Sequence, residues 1–228
     1  MVKSEQLTPN LIRLTKLGLM NAYLVREDDG LTLVDTTMNA ADALIEAAQQ
    51  AGAPIRRIAL THGHADHVGS VDALLERLDG TVQVLMSEPD ARALAGEQVD
   101  FGQRRRGSWP KVAFRPDVLL GHGDRVGSLE VISSPGHTPG HIAFLDTRDR
   151  SLLAGDALHA VGALTVPSRP TLPFPLVWLG TCDRRRVVDS AVALRALEPQ
   201  LLALGHGRAL RSPLAAMDAA IANAGRHP

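Results

Sequence analysis

The 228-residue chain has a single cysteine, Cys182, and aromatic residues make up only 3% of it. One thiol excludes an intramolecular disulfide, so the fold rests on apolar burial and backbone hydrogen bonding. No apolar run approaches the length of a membrane span. The N-terminal stretch M-V-K-S-E-Q-L-T-P-N also lacks the apolar centre of a secretory signal. A reducing, cytoplasmic setting without a membrane partner is therefore expected. An excess of one charge is missing too: 24 Lys and Arg stand against 25 Asp and Glu, for a net charge of -1. That balance argues against a surface built for nucleic acid. Two basic triplets, Arg104 to Arg106 and Arg184 to Arg186, read as solvated surface. No low-complexity segment or linker marks a boundary, and 45% hydrophobic residues suffice for a substantial core, so one domain over residues 1–228 is expected.

What the chain does have is histidine in a dense arrangement. In T-H-G-H-A-D-H-V-G, four metal-binding side chains, His62, His64, Asp66 and His67, lie almost side by side. Imidazole and carboxylate suit zinc and similar divalent ions. Neither a strand nor a helix presents all four on one face, so a compact loop between a strand and a helix is expected. Four unrelated buried groups of this kind would desolvate and repel one another, which makes packing alone a poor explanation. Three further candidates follow apolar stretches, each beside a glycine: His137 in S-P-G-H, Asp156 in L-L-A-G-D and His206 in L-L-A-L-G-H-G. Together they make a set of seven ligands.

The remaining pattern alternates strand and helix. Strands are expected at M-N-A-Y-L-V, L-T-L-V-D, 55–60, V-Q-V-L-M, 129–133, 141–146 and 151–154. Helices are expected at 40–50, after Val68, around Pro89, at 184–197 and at 213–224. Periodicity alone supports a mixed α/β chain.

The ligand string H-x-H-x-D-H, followed by a His, an Asp and a last His, resembles the metallo-β-lactamase superfamily of hydrolases, and the likeness runs from Asn21 to Gly207. The resemblance implies a four-layered αββα sandwich. It implies that His62, His64 and His137 hold one metal, that Asp66, His67 and His206 hold a second, and that Asp156 bridges them. The expected activity is hydrolysis of a small ester-like substrate, a thioester or lactone, by a metal-bridging hydroxide. Zinc is the first expectation for the two divalent ions, with iron or manganese as alternatives. Asp66 has a second, catalytic expectation as the group that orients the nucleophile and passes a proton to the leaving group. His159 takes the position at which lactonases of the superfamily carry a tyrosine facing the substrate carbonyl, and is expected at the rim of the metal centre.

Other branches of the superfamily remain as alternatives: a β-lactamase, a phosphodiesterase, a mononuclear-iron persulfide dioxygenase, or a non-catalytic metal or ligand sensor. Asp156 stands where broad-spectrum β-lactamases of the family carry cysteine, and only about twenty residues follow the G-H-G turn, so the C-terminal helical region that glyoxalase II adds for glutathione is not expected here. The partner is expected to be a small molecule, with homodimerisation left open. Asp35 reads either as support for a ligand imidazole or as a turn residue. His141 reads as support, and His122 and His227 as exposed. The proline-rich stretch from Val161 to Leu179, with Phe174 and Trp178, is a candidate substrate wall, and Gln98 to Val112 is a second recognition segment.

Overall fold

The computed structural model describes residues 2–78, 81–104 and 106–225; Arg105 and His227 lie outside the described residues. The chain divides into two compact units. The first runs through Glu97 and takes in Trp109–Leu120, and the second comprises Gln98–Ser108 and the chain from Gly121 onward.

The first unit is built on a seven-stranded sheet in simple sequence order, β1 (Val2–Thr8), β2 (Leu11–Lys16), β3 (Met20–Glu27), β4 (Gly30–Val34), β5 (Ile55–Ala59), β6 (Gln83–Ser87) and β7 (Val118–Leu120). The first four strands pair antiparallel and the rest parallel. Parallel strands need crossover helices, which α1 (Ala41–Gln50), the short α2 (Ala65–Val68) with α3 (Val71–Arg77), and α4 (Glu88–Leu94) supply. Every residue of β4 is buried, as the apolar run G-L-T-L-V predicts for a strand covered on both faces. Edge strand β1 is mostly exposed and carries Lys3 and Glu5, charges that discourage edge-to-edge association. Leu24, Leu33, Leu44, Ile58 and Leu74 centre the core of this unit.

The second unit holds a six-stranded sheet ordered β13 (Leu210–Arg211), β12 (Leu201–Ala203), β11 (Ser151–Leu153), β10 (Ile142–Asp146), β9 (Leu129–Ser133) and β8 (Arg125–Val126). Only β11 and β12 pair parallel. Helices α5 (Leu176–Gly180), α6 (Arg186–Ala196) and α7 (Leu214–Ala224) complete it. Leu152, Leu194, Leu202 and Met217 lie in its core. Among the described residues no helix is long and apolar enough to cross a membrane.

Two readings of local structure need correction. The helix expected from Val68 begins at Val71 as α3, and a separate short helix, α2, precedes it, so that Asp66 and His67 lie on α2 instead of in a loop. The break is held by Ser70, whose Oγ donates to Thr37 O and accepts from Ala40 N–H. The proline-rich stretch from Val161 to Leu179, expected to form its wall without strand or helix, contributes most of α5 at its end.

Candidate metal centre

In the first unit the ligand run follows the C-terminal end of β5. Strands β4 and β5 are parallel with Val34 beside Ala59, so the residues after both emerge along one edge. From β4 comes Asp35, in the left-handed region at φ 59°. Its Oδ1 accepts from Thr61 N–H at 2.8 Å, and its Oδ2 accepts both from Thr61 Oγ1 and from His67 Nδ1 at 2.8 Å. Asp35 is therefore a support residue, and its turn conformation is what aims it. The Thr61 hydroxyl, its hydrogen given to Asp35, accepts from His62 Nδ1 at 3.1 Å. This network sets two tautomers: His62 and His67 both carry the proton on Nδ1 and present the Nε2 lone pair.

The rings of His62, His64 and His67 are close, with centroids 4.9 Å apart for His62 and His64 and 3.9 Å for His62 and His67. His67 Nε2 lies 3.9 Å from Asp66 Oδ2. The three imidazoles are buried, whereas the Asp66 side chain keeps 30% of its surface exposed. Two features absent from the sequence pattern fix the loop. Asp90, fully buried on α4, accepts from Gly63 N–H at 2.9 Å, and Trp109 stands edge-on to His64 at 5.1 Å. A Cβ at Gly63 would come within 2.6 Å of the Trp109 ring.

The second unit collects His137, Asp156 and His206. Leu153 and Ala203 are partners in the parallel pair β11 and β12, and Asp156 and His206 each follow three residues later, so register alone brings them together. Asp156 Oδ2 lies 3.5 Å from His137 Nε2 and 3.3 Å from His206 Nε2. His137 Nδ1 donates to Thr181 Oγ1 at 3.0 Å, because that hydroxyl gives its own hydrogen to Val177 O. A third imidazole is thereby fixed as the Nδ1–H tautomer with Nε2 presented. His141 is support, as expected: Asp156 N–H donates to its Nε2 at 3.0 Å, so Nδ1 carries the proton and donates to Ser134 Oγ at 2.8 Å.

Two glycines permit this half of the centre. Gly136, at φ 131°, lies so near α6 that a Cβ would meet Val187 N at 2.3 Å, and Gly207, at φ 89°, would place one 2.3 Å from Ala160. No side chain fits at either position.

The donor set fits metal ions. Charge-assisted hydrogen bonds would draw Asp156 and its two histidines to about 2.7–2.9 Å. The observed 3.3–3.5 Å matches the edge of a tetrahedron with bonds of roughly 2.0–2.1 Å.

His159 is buried, as are the candidate ligand imidazoles. Thr171 Oγ1 lies 3.3 Å from its Nε2, and its backbone pairs with Thr165. Burial lowers its pKa to about 4; the Asp156 charge pulls the other way and His206 adds to the lowering. The imidazole is therefore neutral near pH 7. Its Nδ1 is buried and has no hydrogen-bond partner among the described residues. Phe174 packs against it at 6.1 Å and against His206 at 5.1 Å, so the Val161 to Leu179 stretch walls one ligand. His122 is exposed and its Nδ1 accepts from Ser133 N–H at 3.4 Å.

Comparison with known proteins points to one family. The sequence profile of the Metallo-beta-lactamase superfamily matches residues 16–206. The uncharacterized protein YobT of Bacillus subtilis is 38% identical over 211 residues, covering 90% of each chain. A hydroxyacylglutathione hydrolase of Stenotrophomonas maltophilia is 30% identical over 85% of this chain and 72% of its own. Among solved structures, TTHA1623 in a di-iron-bound form superposes with a TM-score of 0.67 at 30% identity, covering 89% of this chain and 94% of that one.

Proposed function

Because the chain belongs to the metallo-β-lactamase superfamily and has that fold, we propose that it is a dinuclear metallohydrolase acting on a small thioester or lactone. The observation that carries this reading is the locking of His62, His67 and His137 as Nδ1–H tautomers, each by an acceptor behind it. Such backing orients imidazoles for ligation and raises their basicity. The two half-sets are proposed to serve one centre, with His62, His64 and His137 on one ion, Asp66, His67 and His206 on the other, and Asp156 on both. Zinc is the favoured ion on donor chemistry, and the di-iron form of TTHA1623 makes iron the next to test.

When bound, the ions supply Lewis acidity and water that ionises near neutral pH. The remaining work falls to side chains. Asp66, the most exposed of the first unit's four donors, takes a proton from the attacking water and delivers it to the leaving sulfur or oxygen. His159, neutral because it is buried, offers Nδ1 to a substrate carbonyl or departing oxygen. Phe174 gives the acyl group an apolar wall. The hydroxyacylglutathione hydrolase relative supports a thioester ahead of a lactam.

The test is a panel of thioesters, lactones, phosphodiesters and β-lactams offered to metal-quantified protein. Turnover of thioesters or lactones that chelation abolishes and zinc restores is the expected result. Oxygen consumption with a persulfide substrate and one iron per chain would replace hydrolysis with oxidation.

A further inference from the structure

The loops that brace the second unit's ligands run on into a groove for which the metal chemistry has no use. Cys182 N–H donates to His137 O at 3.0 Å and Asp183 N–H to Gly136 O at 2.8 Å. Next in sequence come Arg184 and Arg185, which line an open groove of about 540 Å³. Arg169 lines it as well, shortly after Thr165, whose backbone is paired with His159.

Positive charge is in excess in this groove. Elsewhere in the unit arginines meet carboxylates, Arg148 with Asp146 at 2.7 Å and Arg195 with Asp218 at 2.6 Å. Arg169, Arg184 and Arg185 make no ion pair among the described residues, although the single carboxylate of the lining, Asp189, is at hand. Arg184 is also held in place: its guanidinium lies 4.4 Å above the Trp178 ring, and its Nε is buried without a hydrogen-bond partner among the described residues. Burial, and then the charges of Arg106 and Arg104, lower its pKa. Three guanidiniums gathered with a single carboxylate leave an excess of positive charge that an anion relieves, and their planar forks match phosphate and carboxylate oxygens. The volume lies in the range of small-molecule sites, roughly 300–1,000 Å³. The net charge of -1 favours a small anion over a polymer.

We propose that this groove is an anion site in which Arg169, Arg184 and Arg185 hold the phosphate or carboxylate group of a small organic molecule. It stands independently of which substrate the metal centre hydrolyses.

Calorimetric titration of the metal-loaded protein with glycerol 3-phosphate and with glutarate tests it. At least one probe should bind saturably, and Arg184→Gln and Arg169→Gln should each weaken that binding about tenfold or more, the loss of a charge-assisted contact. Arg184→Lys, which keeps the charge and loses the fork, should fall between. The tighter probe identifies the head group. Arg77→Gln, which removes an exposed arginine paired to Asp42 in the first unit, should leave binding unchanged. Absence of saturable binding up to about 10 mM overturns the proposal. So does equal weakening by Arg77→Gln, which means general charge attraction. Binding unchanged in the Arg184 and Arg169 variants of retained circular dichroism also overturns it, by placing the anion elsewhere.

Discussion

The first unit packs its four donors between His62 and His67 and steadies them with two buried carboxylates, Asp35, which reaches both His67 and Thr61, and Asp90, which holds Gly63. The second draws its three from chain positions as far apart as 137 and 206 and steadies them with neutral partners, Thr181 and His141. A local turn does the gathering in one case and strand register in the other. The difference teaches where each half is vulnerable: the first to loss of a charged partner, the second to anything that shifts a strand end or fills a glycine.

The largest effect is expected at Asp156. Asp156→Ala removes the carboxylate that faces both His137 and His206, and turnover should drop to background with metal content falling by metal analysis. Asp66→Asn should lower kcat by roughly 10²- to 10⁴-fold, the range of lost proton transfer, while leaving the second unit's ligands intact; full turnover with both ions retained would remove Asp66 from the mechanism.

The contrast between the halves sharpens one step further out. Asp35→Asn and Thr181→Val should each weaken metal binding, by about 10- to 100-fold for partners of this class. The Asp35 variant should be hit harder, because it also releases Thr61 and therefore His62. Equal losses would mean that charge on the supporting residue is immaterial.

The smallest effect concerns stability against pH. His159 has its folded pKa lowered to about 4 from an ordinary 6.5. A depressed histidine pKa means the unfolded chain binds the extra proton first, so stability is full above about pH 6.5 and declines as pH falls toward 4. The total is of the order of 3 kcal/mol at 1.36 kcal/mol per unit. In chelator, chemical denaturation of His159→Gln should show a flatter slope over that window; an unchanged slope would show that the imidazole is not titrating from a buried site.

Much of this was legible in the sequence. The strands at M-N-A-Y-L-V, L-T-L-V and L-E-V-I-S and the helices at 41–50 and 214–224 stand where periodicity puts them. The ligand string was legible because metal chemistry demands rare residue types at close spacing. Strands β1 and β2 were not, since an exposed edge such as V-K-S-E-Q-L-T carries no clean alternation. Nor were β12 and β13, at three and two residues too short to have a period. Thr61, Asp90 and Thr181 were missed as site residues because their roles depend on contacts from elsewhere in their unit, and Trp109 was visible only as part of the Gln98 to Val112 recognition segment, without its contact to His64. Asp35 was visible as a residue and undecided as a role, since only the register of β4 beside β5 aims it at His67.

Metal titration of the wild-type chain and of Asp156→Ala, read by elemental analysis after dialysis, bears most directly on the claim that both half-sets serve one centre. Two ions per wild-type chain, with both weakened by the single substitution in the second unit, is the predicted result. One ion per chain, or a first ion held by the variant as tightly as by the wild type, would contradict it.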